Sequence, residues 1–292
     1  MKKSKCVSAF LAFSLMILSL LSGCGSRNEA ESMQSTIEDV PPVSSAVTGT
    51  ETAAVKDEAP EADDITAAEA EPENSEEAED ITDPEHFFDD AVFVGDSVTL
   101  GLRNYVTSER NEGRACLGEA EFLPAGSMGY TNTLGDIGVP NTIHPTYQGR
   151  EMYIEDALAL IEAKKAFIML GMNDFCIYPE EDIIRNVKEL INRIKEKNPE
   201  IGIYIESVTP VNRDQGNFSN SNMDKFNAAL KKFCEENGCT YVDVASVMKN
   251  EDGALIASYC SDPDGIGVHV TYEGCKAWVD YLNDVFVKEK LE

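Results

Sequence analysis

The chain has 292 residues and a strongly acidic composition: 53 aspartate and glutamate residues stand against 24 lysine and arginine residues, for a formal net charge of −29 at pH 7. A field of this sign repels nucleic acids and anionic lipid headgroups, which argues against both as direct partners. The length leaves room for one ordinary domain and additional segments outside it.

The first 24 residues have the pattern of an export signal. Lysines at positions 2, 3 and 5 precede an apolar stretch, from about Val7 to Leu21, that is too short and too abruptly ended for a stable membrane span. The closing Leu-Ser-Gly-Cys resembles the lipobox of bacterial lipoproteins, and this resemblance implies that Cys24 becomes the lipidated first residue of the mature protein. The alternative is an ordinary signal peptide in which Cys24 is incidental.

Residues 25–84 are almost free of large apolar side chains, and Arg27 and Lys56 are their only basic residues. A segment so rich in Glu, Asp, Ala, Ser, Thr and Pro cannot bury enough surface to offset the entropy lost on ordering. We therefore predict a disordered acidic tether that holds the following domain away from the bilayer. The length of this tether indicates a protein on the surface of a Gram-positive bacterium.

Residues 85–292 amount to one domain, in which short apolar β-rich runs alternate with helical patterns. The runs predict strands at Ala91–Val94, Glu121–Leu123, Ala166–Leu170, Ile201–Ile205 and Thr240–Val244. Helical spacing covers Ile183–Ile194 and Met223–Phe233, and a last helix is expected from about Tyr272. Apolar strands separated by amphipathic helices are typical of an α/β fold, here a three-layer α/β/α sandwich with a central parallel sheet of the flavodoxin-like kind.

Six cysteines fall in this domain. An exported protein permits disulfides, but no Cys-x-x-Cys spacing suggests a metal site or a redox motif. We interpret the six mostly as small buried residues, with Cys234 to Cys239 as the least implausible bridge.

Three motifs carry the chemistry. Phe93-Val94-Gly95-Asp96-Ser97 puts a serine where the first strand turns into a helix, Gly171-Met172-Asn173-Asp174 follows a later strand, and a lone His269 precedes the last helix. Each has a structural explanation by itself, since Ser97 fits a helix cap and Asn173 a turn. All three fall on the carboxyl edge of the predicted sheet, where such folds place their active sites.

With these motifs, residues 90–282 resemble the SGNH, or GDSL, hydrolase superfamily. The resemblance implies that Ser97 is the nucleophile and that its N–H contributes to an oxyanion hole together with the side-chain amide of Asn173. A glycine N–H completes the hole; Gly129 fits best and Gly126 is the second choice. His269 is implied as general base, a role suited to an imidazole that titrates near neutrality. The mechanism needs no metal and no organic cofactor.

The acid that orients the histidine departs from the family pattern. The family has an aspartate three residues before the histidine, but Ile266 stands there in this chain. Asp264 and Asp262 lie five and seven residues before His269, in a segment whose glycines could form a loop. We expect Asp264 to fill the role, with Asp262 in reserve and a main-chain carbonyl as a third option.

The expected activity is that of a lipid-anchored cell-surface serine esterase that hydrolyses short-chain acyl esters, with O-acetyl groups on carbohydrate as the leading substrate. Within the enzymes, a lysophospholipase or thioesterase and an O-acyltransferase are the alternatives; a non-catalytic binding lipoprotein is the alternative from another class. The expected partner is a small or polysaccharide acyl ester, membrane contact is expected only through the anchor, and a monomer is expected.

Overall fold

The computed structural model describes residues 84–287, with side chains from residue 86 to residue 286. The predicted signal and tether, Cys24 included, lie outside the described residues except for Pro84. Between residues 84 and 287, no helix combines the length and the apolar character that a membrane span requires.

Seven strands occur in this part of the chain: β1 (Ala91–Gly95), β2 (Glu121–Pro124), β3 (Thr146–Tyr147), β4 (Arg150–Glu151), β5 (Lys165–Met169), β6 (Gly202–Glu206) and β7 (Thr240–Val242). Five of them form one parallel sheet in the order β2-β1-β5-β6-β7, while β3 and β4 pair as a small antiparallel hairpin. The carboxyl ends of the five parallel strands therefore lie at one edge.

The helices are α1 (Pro84–Phe87), α2 (Ser97–Asn111), α3 (Ile154–Ile161), α4 (Glu180–Lys197), α5 (Asn220–Asn237) and α6 (Tyr272–Val287), with two 3₁₀ turns at Val244–Val247 and Ala257–Tyr259. Apolar side chains of α3, α4 and α5 join one hydrophobic core, and those of α2 and α6 join a second. The two cores cover opposite faces of the sheet because alternate strand residues point to opposite sides.

The predicted α/β/α sandwich is confirmed, as are its five parallel strands. The pattern did not predict α3 or the β3–β4 hairpin. Both are short, with eight residues in α3 and two in each hairpin strand, and so show little periodicity of their own.

An aromatic ladder crosses one face of the sheet. Phe122, Phe93, Phe167 and Tyr204 are neighbours in register on β2, β1, β5 and β6. Their ring centroids are 5.2, 4.8 and 4.5 Å apart in that order, with nearly parallel planes. Phe286 of α6 meets Phe167 and Tyr204 edge-on at 5.5 and 5.3 Å. Aromatic pairs of this kind stabilise by about 0.5–1.5 kcal/mol beyond area burial, so the ladder fixes both the strand register and the docking of the last helix.

Cys234 and Cys239 are not bridged to each other, and Cys116, Cys260 and Cys275 form no disulfide either. The interpretation as small buried residues is confirmed for Cys116, Cys234, Cys260 and Cys275, whereas Cys176 and Cys239 are partly exposed.

Glu206, the last residue of β6, is a fully buried carboxyl group. Its Oε1 accepts a hydrogen bond of 2.8 Å from the indole N–H of Trp278, and Oε2 has no partner among the described residues. Burial raises its pKa from an ordinary value of 4.5 to about 8, while the bond from Trp278 lowers it in part.

We predict that Glu206→Gln changes the pH dependence of stability. Between pH 4.5 and 8 the folded state holds a proton on Glu206 that the unfolded chain has lost, so this group reduces stability as pH rises, by up to about 1.4 kcal/mol per pH unit. Glutamine keeps an acceptor for Trp278 and does not titrate.

Urea unfolding of both proteins from pH 5 to pH 9 measures the effect. The stability of the variant relative to the parent should increase up to about pH 8 and then level off. A difference that is constant with pH would show that Glu206 does not bind a proton in the folded state.

Candidate active site

Ser97 is the first residue of α2, directly after β1. Asp96 is the N-cap, and its Oδ1 accepts a 2.9 Å hydrogen bond from the Val98 N–H. The Ser97 N–H has no acceptor among the described residues, which leaves it available at the positive end of the helix dipole. The half-buried Ser97 thus combines a hydroxyl with a free main-chain donor.

Gly95 is required by close packing between β1 and α2. A Cβ at this position would lie 1.9 Å from the Thr99 Oγ1 and 2.8 Å from the main-chain oxygen of Met169. A side chain there would force the helix off the strand and displace Ser97. The glycine of the Gly-Asp-Ser motif therefore sets the position of the serine.

His269 connects Ser97 to a carboxylate. Its Nε2 is 3.1 Å from the Ser97 Oγ, and its Nδ1 is 3.0 Å from Asp262 Oδ2. Asp262 also accepts the main-chain N–H groups of His269, at 2.9 Å, and of Gly267, at 3.2 Å. The side chains of His269 and Asp262 are 35% and 24% exposed, so the pair remains accessible to a substrate. This is the geometry that a nucleophile, a base and an orienting acid require.

The structure corrects the choice of acid, because the carboxylate that is hydrogen-bonded to the His269 imidazole is that of Asp262 and not that of Asp264. A turn closed by the Gly265 N–H on the Asp262 main-chain oxygen, with Gly267 at φ 71°, lets residues 263–267 loop out. Asp264 lies on the exposed part of this loop, where its main-chain oxygen accepts a long hydrogen bond of 3.4 Å from the Arg213 guanidinium. The extra residues therefore bring the aspartate that is further away in sequence back to His269.

Asn173 lies beside the Ser97 turn. Its side-chain amide donates to Asp96 Oδ2 and to the main-chain oxygen of Met128, both at 3.0 Å. The next residue, Asp174, is buried and accepts the N–H groups of Tyr130 at 2.8 Å and Thr131 at 2.9 Å. The Asn-Asp pair thus binds the turn after β2 to the turn after β5.

Gly129, the glycine expected in the oxyanion hole, is buried in the turn after β2. Its N–H donates to the Asn132 Oδ1 at 2.8 Å and is therefore not free for a substrate oxygen in this arrangement. A Cβ at 129 would lie 2.4 Å from Asp174 Oδ2, so the glycine is needed for the approach of that carboxylate. Gly126, the second choice, is exposed, and its N–H has no acceptor among the described residues.

Two functional acids were missed in the sequence, although both stand inside its motifs. Burial raises the pKa of Asp96 from 3.8 to about 6, against the lowering effects of the Val98 N–H and of the nearby His269. Burial likewise raises the pKa of Asp174, against lowering by its bonds to Thr131 and Tyr130. The signal was present in Gly-Asp-Ser and Asn-Asp, but nothing local shows that these acids are buried.

A serine at a strand-to-helix turn, bonded to a histidine that a carboxylate orients, defines a hydrolase-type site at the carboxyl edge of an α/β sheet. Residues 93–277, well over half of the chain, match the GDSL-like Lipase/Acylhydrolase family, and the chain belongs to this family. The resemblance drawn from the motifs is thereby confirmed at the level of the family. Membership implies an ester hydrolase.

The chain is similar to several solved structures. A candidate GDSL-like lipase from Parabacteroides merdae matches with a TM-score of 0.50 and 16% identity, over 68% of this chain and 94% of that one. A GDSL-like lipase from Bacteroides thetaiotaomicron has a TM-score of 0.47 and 16% identity, over 68% and 88%. A catalytic mutant of an acetylxylan esterase from Geobacillus stearothermophilus has a TM-score of 0.45 and 14% identity, over 68% and 93%. No curated protein sequence matches this chain.

The geometry predicts different effects for the two loop aspartates. Asp262→Asn should lower kcat on a small ester by about 10⁴, because an amide at this position stabilises the wrong imidazole tautomer. Asp264→Asn should stay within a fewfold of the parent, since its carboxylate does not contact His269. Steady-state kinetics on the two variants test this, and the opposite ranking would return the role to Asp264.

Proposed function

We propose that the protein is a serine esterase that hydrolyses acyl esters through an acyl-enzyme on Ser97. The observation that carries this proposal is the hydrogen-bonded series from Ser97 Oγ through His269 to Asp262, with distances of 3.1 and 3.0 Å. Family membership supports the reaction class, and the geometry supports the assignment of individual roles.

In the first step, the Ser97 Oγ attacks the ester carbonyl carbon while His269 Nε2 accepts the hydroxyl proton. Asp262 holds the imidazole by Nδ1 and stabilises the imidazolium that forms. The tetrahedral intermediate then collapses: the bond to the alcohol oxygen breaks, and His269 protonates the leaving alcohol. Water attacks the acyl-enzyme by the same route and releases the carboxylic acid and free Ser97.

The oxyanion is bound by the free N–H of Ser97 and by the side-chain amide of Asn173, with the Gly126 N–H replacing that of Gly129. In the structure, the Asn173 amide donates to Asp96 and to the Met128 main-chain oxygen. Both N–H groups of this amide have acceptors, so the proposal requires the N–H on Met128 to turn to the oxyanion as the transition state forms.

For the substrate, we propose short acyl groups, in particular O-acetyl groups on carbohydrate. This choice follows from the expectation that the protein is exported, because exported members of the family often remove acyl groups from polysaccharides. The acidic composition disfavours anionic lipid substrates by charge repulsion.

Hydrolysis of chromogenic acetyl and octanoyl esters tests the reaction and its preference for acyl-chain length. Fluorophosphonate labelling measures in parallel whether the active-site serine is reactive. The fluorophosphonate should label the parent, and the parent should hydrolyse the acetyl ester with a higher kcat/KM than the octanoyl ester. Ser97→Ala should not be labelled and should hydrolyse neither ester. Asp264→Asn serves as a matched control that should keep both properties. A preference for octanoyl would shift the assignment towards a lysophospholipase or thioesterase, and labelled protein without turnover of either ester would argue against hydrolysis of simple esters.

We also propose that the protein is a lipoprotein anchored through Cys24 at the cell surface, on the basis of its resemblance to a lipobox. Cys24→Ser should move the protein from the membrane fraction into the culture medium and prevent incorporation of a labelled fatty acid. Cys6→Ser, within the same leader, is the control and should leave both unchanged. Membrane retention of the Cys24 variant would contradict the anchor.

A further inference from the structure

Asp96 joins the two loops that carry Ser97 and Asn173. One carboxylate oxygen accepts the Val98 N–H at 2.9 Å, within the first turn of the helix that begins at Ser97. The other oxygen accepts an N–H of the Asn173 side-chain amide at 3.0 Å. Both oxygens of one side chain are therefore engaged, each by a different part of the site.

The location of Asp96 makes this arrangement costly, which indicates a role beyond that of a cap. The residue is 2% exposed, and the titratable side chains whose charges act on it are His269, which favours the carboxylate, and Asp174, which opposes it. Asparagine or serine caps a helix N-terminus about as well as aspartate and needs no buried charge. Capping alone therefore does not account for an aspartate here.

We propose that Asp96 is a positioning residue that fixes the side-chain amide of Asn173 beside Ser97 and thereby acts on the reaction through Asn173. This inference rests on the proposed function, because it presumes that the Asn173 amide stabilises the oxyanion. An ionised carboxylate accepts only, so it imposes one orientation on the amide: the nitrogen faces Asp96 and the Met128 main-chain oxygen, and the amide oxygen faces away.

The substitution Asp96→Asn removes this function selectively. Its Oδ1 can still cap Val98, but its NH₂ group then faces the NH₂ group of Asn173, and two donors cannot bond to each other. Protonation of Asp96 weakens the same contact, because a protonated carboxyl group is a poorer acceptor than a carboxylate. The pKa of Asp96, raised to about 6 by burial, places this event within an accessible pH range.

A double-mutant cycle with the full-length protein tests the proposal. On a chromogenic acetyl ester, Asp96→Asn should lower kcat by about 10- to 100-fold with KM within about twofold, and Asn173→Ala should lower kcat by about 10²–10³. The double variant should be no slower than Asn173→Ala alone, because Asp96 has no effect once the amide that it holds is absent. Losses that multiply, or an unchanged kcat in Asp96→Asn, would overturn the proposal.

The pH profile gives a readout that a merely structural role would not move. On its acid side, kcat of the parent should fall more steeply than that of Asp96→Asn, because only in the parent does protonation of Asp96 weaken its contact with Asn173. Identical acid limbs would contradict the proposal.

Two controls separate failure of this inference from failure of the proposed function. Fluorophosphonate labelling and a cooperative unfolding transition should persist in Asp96→Asn, which shows an intact Ser97 and an intact fold. If the parent itself neither labels nor hydrolyses esters, the proposed function fails, and the inference about Asp96 fails with it. If the parent is active and only the cycle is additive, the inference alone is wrong.

Discussion

Carboxylates that accept main-chain N–H groups hold this site together. At the carboxyl edge of a parallel sheet the chain leaves the strands, and its N–H groups lose their ladder partners while remaining close to the core. Asp96 accepts the N–H of Val98, Asp174 those of Tyr130 and Thr131, and Asp262 those of Gly267 and His269. Each of these aspartates fixes one loop, and together the loops carry the serine, the turn after β2 and the histidine.

This arrangement has an electrostatic cost. Asp96 and Asp174 are nearly completely buried and repel each other, and burial raises the pKa of both. The imidazole of His269 partly offsets this cost, since a positive charge on it would be attracted to Asp262 and Asp96. Under the proposed mechanism, an acidic environment of this kind opposes a developing oxyanion, so well-placed N–H donors matter more there.

The sheet supplies the rigid support for these loops. β1 and β5 are central neighbours, and the aromatic ladder with Phe286 holds their register and the last helix together. Ser97 follows β1, Asn173 follows β5, and His269 precedes α6, so each of the three chemical groups is connected by a few residues to a packed element. Small displacements between these groups are therefore resisted by the core and not by the loops alone.

The sequence by itself determined the layer architecture, the five strands of the parallel sheet and the three motifs at its carboxyl edge, because apolar periodicity and turn residues are local properties that the chain carries wherever it folds. It identified Ser97, Asn173 and His269 as members of one site, and the structure brings Ser97 into contact with His269 and places Asn173 against Asp96.

Tertiary structure decided the rest. Whether Asp262 or Asp264 reaches the imidazole depends on how residues 263–267 loop out, and whether the N–H of Gly129 is free depends on the side chain of Asn132. The burial of Asp96 and Asp174 likewise depends on strands and helices distant in sequence. Hydrogen-bond direction and burial are relations between separate parts of the chain, and no local pattern records them.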